Sequence, residues 1–239
     1  VIHSDARLKL EFTELEGDER NAFLEELGIQ EMLSITKYAK PIDGEDTTGF
    51  LKLSDVFETM LIPTRKLRIL KIIEEGSTGM HGEWESFEKS KLYSAAMEVG
   101  GREQDRSRGG SWGKGKMGAI RASNIRTLLY YTSHTKEIDP NDSANQRFLA
   151  VSVWGRFKKD NKTYTGWGFQ RPVDEDSLPQ PLTDNDAAEK ARAFSIETRD
   201  PREQQDTGTT ICVIEPYFDP YEVKEAIETM FKVDVKNVN

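Results

Sequence analysis

The amino-acid sequence predicts an α+β protein built as a two-layer α/β sandwich. Strand and helix patterns follow one another in mixed order, and most of the strands are joined by long segments. The 239 residues contain 36% apolar and 31% charged residues, and they show no internal repeat. We therefore expect a single domain over residues 1–239 with long solvated loops.

Six segments carry strand patterns. In the first of them, Leu8, Leu10 and Phe12 alternate with polar residues, which is typical of a half-buried strand. Residues 67–73 form a strongly apolar, β-branched run, which predicts a central strand. The strand patterns lie at residues 6–13, 67–73, 127–132, 147–154, 163–169 and 209–215.

Seven segments carry helix patterns. In the last of them, Ala226, Ile227 and Met230 fall at helical spacing. Gly28 ends the first helix and Pro63 stops the third. The helix patterns lie at residues 18–28, 29–38, 53–61, 84–97, 116–124, 185–193 and 219–231.

The remaining segments predict loops. Residues 40–50 contain proline and glycine, and residues 159–161 form a turn between two strands. Residues 98–116 contain six glycines and five Lys or Arg residues without apolar periodicity, which predicts a mobile loop. Residues 170–206 form a polar insertion that includes one short helix.

The charge balance argues against a protein-wide nucleic-acid surface. Lys and Arg number 33 against 42 Asp and Glu, for a formal net charge of -9, whereas nucleic-acid-binding domains carry an excess of basic residues. Local binding through an arginine-rich loop stays open. No apolar run approaches the roughly 18 residues of a membrane span, and no signal peptide is visible. We therefore expect a cytoplasmic protein without a membrane segment.

The single cysteine and the three histidines do not indicate a catalytic or metal site. Cys212 lies in an apolar run, which is typical of a buried structural thiol. His3, His81 and His134 are far apart in the sequence and form no H-x-x-x-H pair, so their spacing does not indicate zinc.

The segment 109–116, GGSWGKGK, is the most informative one. Glycines at this density before a helix let successive backbone N–H groups turn toward an anion, and the helix start adds positive charge. Residues 110–116 also fit G-x-x-x-x-G-K, but Met117 stands where a P-loop needs Ser or Thr, and no apolar strand precedes the segment. A glycine-rich surface loop without a ligand is the alternative interpretation.

Three motifs follow one another in an order typical of a known ATPase family. The strand LRILKII is followed by EEGSTGM, the segment GGSWGKGK precedes a helix, and Gly208-Thr209 opens a late strand. These motifs resemble the D-x-G-x-G box, the second glycine box and the late Gly-Thr of the Bergerat-fold ATPases. That superfamily comprises gyrases, heat-shock chaperones, histidine kinases and mismatch-repair proteins (GHKL). Glu74 stands in place of the Asp, and one extra residue precedes Gly79.

The resemblance covers roughly residues 65–231. It is closest to the microrchidia-like and chaperone-like branches and to bacterial ATPases, some of them from phage-defence systems. It implies a sandwich of Bergerat type, with a mixed, mostly antiparallel sheet covered by helices and a long lid at residues 98–116. It also implies ATP and Mg²⁺ as ligands, with nucleotide ordering the lid and driving dimerisation or the switching of a partner domain.

The resemblance also assigns an adenine site. Glu74 would accept a hydrogen bond from the adenine amino group, with Glu75 as the neighbouring alternative. Alternatively, Glu74 and Glu75 are solvated carboxylates at the end of a strand without a ligand. Thr209 is also open to a second interpretation, because threonine is common in strands for structural reasons alone. The adenine residues implied are Glu74, Gly76, Gly79, Met80 and Thr209.

A phosphate site is implied by the second glycine box. The residues that would wrap the phosphates are Gly110, Ser111, Trp112, Gly113, Lys114, Gly115 and Lys116. Within this set Trp112 is expected to cover apolar surface. Three lid arginines, Arg102, Arg106 and Arg108, are either solvated or contact the nucleotide or a partner subunit.

The catalytic part of the family pattern is not found in the sequence. The family carries its catalytic Glu and its magnesium-binding Asn on an early helix as E-x-x-x-N. Here Asn21 lies on a helix, but Gly17 occupies the position four residues before it. We expect the missing helix to precede Val1, so catalytic and metal-binding residues stay unassigned. The sequence therefore predicts the ATP-binding module of a GHKL-type ATPase, with a non-catalytic module carrying a flexible Gly/Arg-rich partner-binding loop as the alternative.

Overall fold

The computed structural model describes residues 6–38, 40–41, 47–84, 89–97, 114–170 and 179–231. Within this part the chain forms ten strands and seven α-helices. Every pair of adjacent strands in it is antiparallel. The predicted α+β class is confirmed.

The strands are β1 (Arg7–Leu15), β2 (Lys40–Pro41), β3 (Leu67–Glu75), β4 (Thr127–Ser133), β5 (Gln146–Val153), β6 (Phe157–Lys159), β7 (Lys162–Tyr164), β8 (Trp167–Phe169), β9 (Leu182–Thr183) and β10 (Gly208–Ile214). The helices are α1 (Gly17–Leu27), α2 (Ile29–Tyr38), α3 (Thr47–Met60), α4 (Lys91–Ala96), α5 (Lys114–Ala122), α6 (Asp184–Ala193) and α7 (Pro220–Phe231). None of these helices combines the length and the apolar character needed to cross a bilayer.

A seven-stranded sheet forms the centre of the described fold. Its strand order is β1-β3-β10-β4-β5-β8, and β9 also pairs with β5. A second sheet has the order β2-β6-β7. The run LRILKII lies in an interior strand, as its apolar character predicts, because β3 has β1 on one side and β10 on the other.

Helices pack on both faces of the main sheet. Along β4, Leu129 and Tyr131 join one apolar cluster while Leu128 and Tyr130 join the other, because successive side chains of a strand point to opposite faces. We call the face covered by α1, α2, α3 and α6 the first face. The second face carries α4 and α5, so the described part has helices on a face that a two-layer arrangement would leave open.

Most predicted elements are confirmed to within a few residues. α2 has the bounds that its sequence pattern indicates, and α1 ends before Gly28 as expected. Cys212 is buried on β10, and burial raises the pKa of its thiol to about 12, which confirms a structural thiol.

Two predicted helix boundaries are wrong. The loop expected at 40–50 already contains β2 and the first turn of α3, because one glycine costs a helix only about 1 kcal/mol and does not stop it. Of the helix expected at 84–97, only α4 forms in the described residues. Its start is set by Ser90, whose Oγ accepts a hydrogen bond from the Tyr93 backbone N–H at 3.2 Å.

The strand expected at 163–169 is two strands in different sheets. β7 pairs with β6 across Asp160 and Asn161, whose positive φ angles of 51° and 62° suit a two-residue hairpin. β8 pairs instead with β5 in the main sheet. The chain changes sheets at Gly166, whose carbonyl accepts a hydrogen bond from the Trp154 N–H at 2.8 Å.

Candidate functional site

Four polar residues lie in one row at an end of the main sheet. Glu74 on β3 is directly opposite Thr209 on β10, Thr209 is opposite Thr132 on β4, and Thr132 is opposite Arg147 on β5. Residues directly opposite one another in antiparallel strands share a face. The row lies on the second face, because Ile72 and Ile211, two residues along their strands, pack against the second-face cluster.

The segment after β3, residues 76–82, folds over the two threonines of this row. We call it the glycine loop. The Met80 N–H donates a hydrogen bond to Thr132 Oγ1 at 2.7 Å, and Thr132 Oγ1 lies 3.1 Å from Thr209 Oγ1. The loop also continues the strand pairing, since the Gly76 N–H donates to the Thr207 carbonyl at 2.8 Å.

Gly79 is the point of closest approach between the glycine loop and the sheet. Its φ is +61°, and a Cβ at this position would lie 2.3 Å from the backbone oxygen of Ser133. No residue with a side chain fits there without moving the backbone. Close packing is therefore sufficient to explain the glycine at this position, whether or not a ligand binds there.

The two candidate carboxylates lie on opposite faces of the sheet. Glu74 points to the second face with Thr209, and Glu75 points to the first. The Glu74 side chain is exposed in the described structure. Its backbone carbonyl accepts a hydrogen bond from Nη2 of the buried Arg199 at 3.0 Å, which holds the end of β3 in place. Of the two carboxylates, only Glu74 therefore shares a face with Thr209 and remains the candidate adenine-binding residue.

The surroundings of Glu74 on the second face are apolar. Ile72, Ile211 and Met80 are partly buried against the second-face cluster, which also contains the buried Ile120 of α5. All five predicted adenine residues thus lie in the same region of the fold, and α5 packs on the same face. The arrangement offers a hydrogen-bond acceptor beside an apolar surface, which is the chemistry needed to bind a planar base with an amino group.

A buried charged cluster anchors the far end of the glycine loop. Asp142 Oδ2 accepts hydrogen bonds from Arg147 Nη1 and from the Gly82 N–H, both at 2.8 Å. His134 Nε2 lies 3.3 Å from the same oxygen. At the rim, His81 Nδ1 lies 3.2 Å from an Asp139 carboxylate oxygen. The cluster joins the glycine loop to β4, β5 and their connection.

The electrostatics of this cluster favour a charged Asp142 and a neutral His134. Burial alone would raise the pKa of Asp142, but the hydrogen bonds and the charge of Arg147 lower it below its usual value. Burial lowers the pKa of His134 to about 4, and the positive charge of Arg147 acts in the same direction. Both ring nitrogens of His134 lack a hydrogen-bond partner among the described residues.

The predicted phosphate residues fall only partly within the described chain. Gly110, Ser111, Trp112 and Gly113 lie outside it, as do most of the predicted lid and its arginines. Lys114, Gly115 and Lys116 form the first turn of α5, which begins two residues earlier than predicted. Their helical backbone is the part of the phosphate prediction that the structure describes.

The described residues contain no group of three His, Cys, Asp or Glu side chains that could hold a metal ion. His81 and His134 come closer in space than their sequence separation indicates, with ring centroids 5.9 Å apart. Each histidine instead faces one carboxylate. The glycine-loop region therefore offers hydrogen bonds and charge, without a metal-ligand set in this part of the chain.

Sequence reasoning missed the residues that support the glycine loop. Thr132, His134, Asp142 and Arg147 were not predicted as site residues, although each is buried. The available signal was polarity: Arg147 begins an otherwise apolar strand, and Thr132 ends one. A buried charge inside an apolar strand needs a partner, and Asp142 is the nearest preceding acid in the sequence.

Comparison with known proteins gives no relative for this chain: no protein-family model, no curated protein and no solved structure matches it.

Proposed function

We propose that this chain is the ATP-binding module of a GHKL-type ATPase with a Bergerat-type sandwich. The observation that carries the proposal is the cross-strand pairing of Glu74 with Thr209 beside the glycine loop. The three motifs that suggested the family are distant in sequence. Two of them, the first glycine box and the late Gly-Thr, meet at one end of the sheet.

The third motif supports the proposal through α5. Four residues separate the end of this helix from β4, and the helix packs on the second face through Ile120. A helix that turns back onto the following strand runs roughly antiparallel to it, and nine residues span about 13 Å. In the proposed complex the first turn of α5 lies toward the end of β4 that carries Thr132. The first N–H groups of a helix have no partner within the helix, so this helix start would bind the phosphates of a nucleotide whose base lies at Glu74.

In the proposed complex, the Glu74 carboxylate accepts a hydrogen bond from the exocyclic amino group of adenine. Thr132 and Thr209 hold the glycine loop in place, Gly76 and Gly79 of that loop lie beneath the base, and Met80 covers it. A guanine base would turn its carbonyl oxygen toward the carboxylate and be repelled. Mg²⁺ would be bound chiefly by the phosphates, because the described residues offer it no ligand set. Hydrolysis and a role in anti-phage defence or DNA transactions belong to the same proposal and rest on the resemblance alone.

Isothermal titration with ATP and Mg²⁺ tests the adenine contact. Glu74→Ala should weaken ATP binding about 10- to 100-fold, the effect of losing one hydrogen bond to a charged group. Glu75→Ala is the matched control, since it removes the same group from the opposite face and should bind ATP as the unaltered protein does. GTP should bind the unaltered protein more weakly than ATP.

Three results would count against the proposal. They are the absence of ATP binding to the full chain, equal losses in the two variants, and equal affinity for ATP and GTP. The first result would favour the non-catalytic interaction module. Gly113→Val adds a test of the phosphate segment, because it blocks the close approach of backbone amides to an anion. ATP binding should fall in this variant while folding, followed by circular dichroism, is retained.

A further inference from the structure

A cavity of about 510 Å³ lies on the first face, across the sheet from Glu74. Its floor is formed by residues with small side chains on β5 and β8, Ala150, Ser152 and Gly168. Its walls come from α2 through Met32 and Ile35, and from further apolar side chains. The volume falls in the range of small-molecule sites, roughly 300–1,000 Å³.

Aromatic side chains dominate the wall formed by the small sheet. Phe157 and Tyr164 stack with ring centroids 4.9 Å apart, and Trp154 lies beside them. The Trp154 Nε1 is already used, because it donates a hydrogen bond to the Ile125 carbonyl at 3.1 Å. These rings therefore present flat apolar surface to the cavity, which suits a planar ligand.

One hydrogen-bond donor in the lining, the side-chain amide of Gln170, has no partner in the part of the chain that the structure describes. Gln170 Oε1 accepts a hydrogen bond from the Ala150 N–H at 2.8 Å, which fixes the orientation of the amide. Its Nε2 is buried and has no hydrogen-bond partner among the described residues. The hydroxyls of Thr127 and Ser152 bond to each other at 2.8 Å. A buried amide N–H without a partner is unfavourable, and a ligand acceptor would recover that loss.

The charges around the cavity balance one another. Glu26 forms an ion pair with Lys190, and the remaining charged lining residues are one acid, Glu31, and one base, Lys159. The charges cancel when Lys190, which lies outside the lining, is counted with its partner Glu26. Electrostatic attraction would therefore not offset the cost of removing a charged ligand from water.

We propose that this cavity binds an uncharged, planar aromatic molecule through a carbonyl oxygen that accepts a hydrogen bond from Gln170 Nε2. The ring system would lie against the Trp154 and Phe157 side chains. The site is separate from the proposed nucleotide site, because the main sheet lies between them, and it does not depend on the proposed function.

The test compares 2-oxindole with indole. The two molecules have similar bicyclic shapes, but only 2-oxindole carries a carbonyl oxygen that can accept a hydrogen bond. In ¹H–¹⁵N spectra of the full chain, 2-oxindole should shift the amide signals of Gly28, Gly166 and Gly168, which line the cavity. Indole should bind at least fivefold more weakly. No shift of these glycines with 2-oxindole, or equal affinity of the two probes, would overturn the proposal.

Two variants test the Gln170 amide donor and the space in the cavity independently. Gln170→Glu keeps the oxygen that accepts from the Ala150 N–H and removes the amide donor, so the affinity for 2-oxindole should fall to the level of indole. Ile35→Trp should fill the cavity and abolish binding of both probes, while Gln30→Trp adds the same ring to an exposed position of α2 and should have no effect. Undiminished 2-oxindole binding in either test variant would refute the assignment. If Ile35→Trp does not fold, Met32→Phe serves the same purpose.

Discussion

His134 combines full burial with a carboxylate neighbour, two features that act on its pKa in opposite directions. Desolvation favours the neutral ring and the Asp142 carboxylate favours the charged one. The positive charge of Arg147 also lowers the pKa of His134, while the negative charge of Asp139 raises it. Desolvation is the largest effect, so the ring stays neutral in the folded protein down to a pH of about 4.

We expect this histidine to make stability depend on pH in mildly acidic solution. Its pKa in the unfolded chain is about 6.5, above the value of about 4 in the fold. The unfolded state therefore takes up the proton first, and stability falls as the pH drops from about 6.5 toward 4. The slope contributed by one such group is at most about 1.4 kcal/mol per pH unit.

Urea unfolding of the unaltered protein and of His134→Asn, between pH 4.5 and 7.5, measures this contribution. The difference between the two free energies of unfolding should shrink steadily as the solution becomes more acidic. Carboxylates titrate in both proteins and cancel in the comparison. A difference that does not vary with pH would mean that the pKa of His134 is the same in the folded and the unfolded chain, and a difference that grows in acid would mean that the folded ring binds the proton more tightly.

At the scale of single residues, the sequence predicted types of residue better than their partners. Glu74 was the predicted adenine-binding carboxylate and Glu75 the neighbouring alternative, and the register of β3 against β10 places the two on opposite faces. Register depends on pairing between distant segments, which local patterns do not contain. For the same reason Thr132 was not recognised as the residue that binds the glycine loop.

At the scale of elements, β3 and β10 pair so closely at one end that only glycine fits. Gly208 has a φ of +145°, and a Cβ there would lie 1.9 Å from the Glu74 carbonyl oxygen. That oxygen also accepts a hydrogen bond from Arg199 and cannot move away freely. The Gly-Thr pair that suggested a family motif therefore has a packing reason of its own.

Gly208→Ala should lower the free energy of unfolding by about 2–4 kcal/mol, because the strand ends must separate. Gly118→Ala is the matched control. Gly118 lies in α5, and a Cβ at this position would meet no atom within 4 Å, so alanine there should stabilise the helix by about 0.5–1 kcal/mol. Chemical denaturation of both variants measures the two changes. A loss below about 1 kcal/mol for Gly208→Ala would show that the strand ends are not tightly fixed.

Elements with a clear period were predicted well, and those set by distant contacts were not. The strand and the helix expected from the patterns at 6–13 and 219–231 are confirmed as β1 and α7, although Leu8 of β1 is 70% exposed instead of half-buried. The division of residues 163–169 between two sheets was missed, because β7 and β8 find their partners through tertiary pairing.

At the scale of the whole molecule, the buried pair of Asp142 and Arg147 connects two distant parts of the chain, the glycine loop and the segment that leads into β5. Asp142 lies between β4 and β5, Arg147 lies on β5, and the same carboxylate holds Gly82 after β3. Both side chains are almost fully shielded from water. Removing one partner leaves the other charged group buried without compensation, and the cost of this is about 3–5 kcal/mol.

A double-mutant cycle with Asp142→Asn and Arg147→Met tests whether this pair holds the fold together. Each single variant should lose about 3–5 kcal/mol in guanidinium unfolding, and the double variant should lose clearly less than the sum, because it leaves no unpaired charge. The surface pair of Glu14 and Lys66, with side chains 53% and 52% exposed, provides the control. Its cycle should give less than about 1 kcal/mol in every variant. Additive losses at the buried pair would show that Asp142 acts through its backbone contacts, and the glycine loop would then be anchored without Arg147.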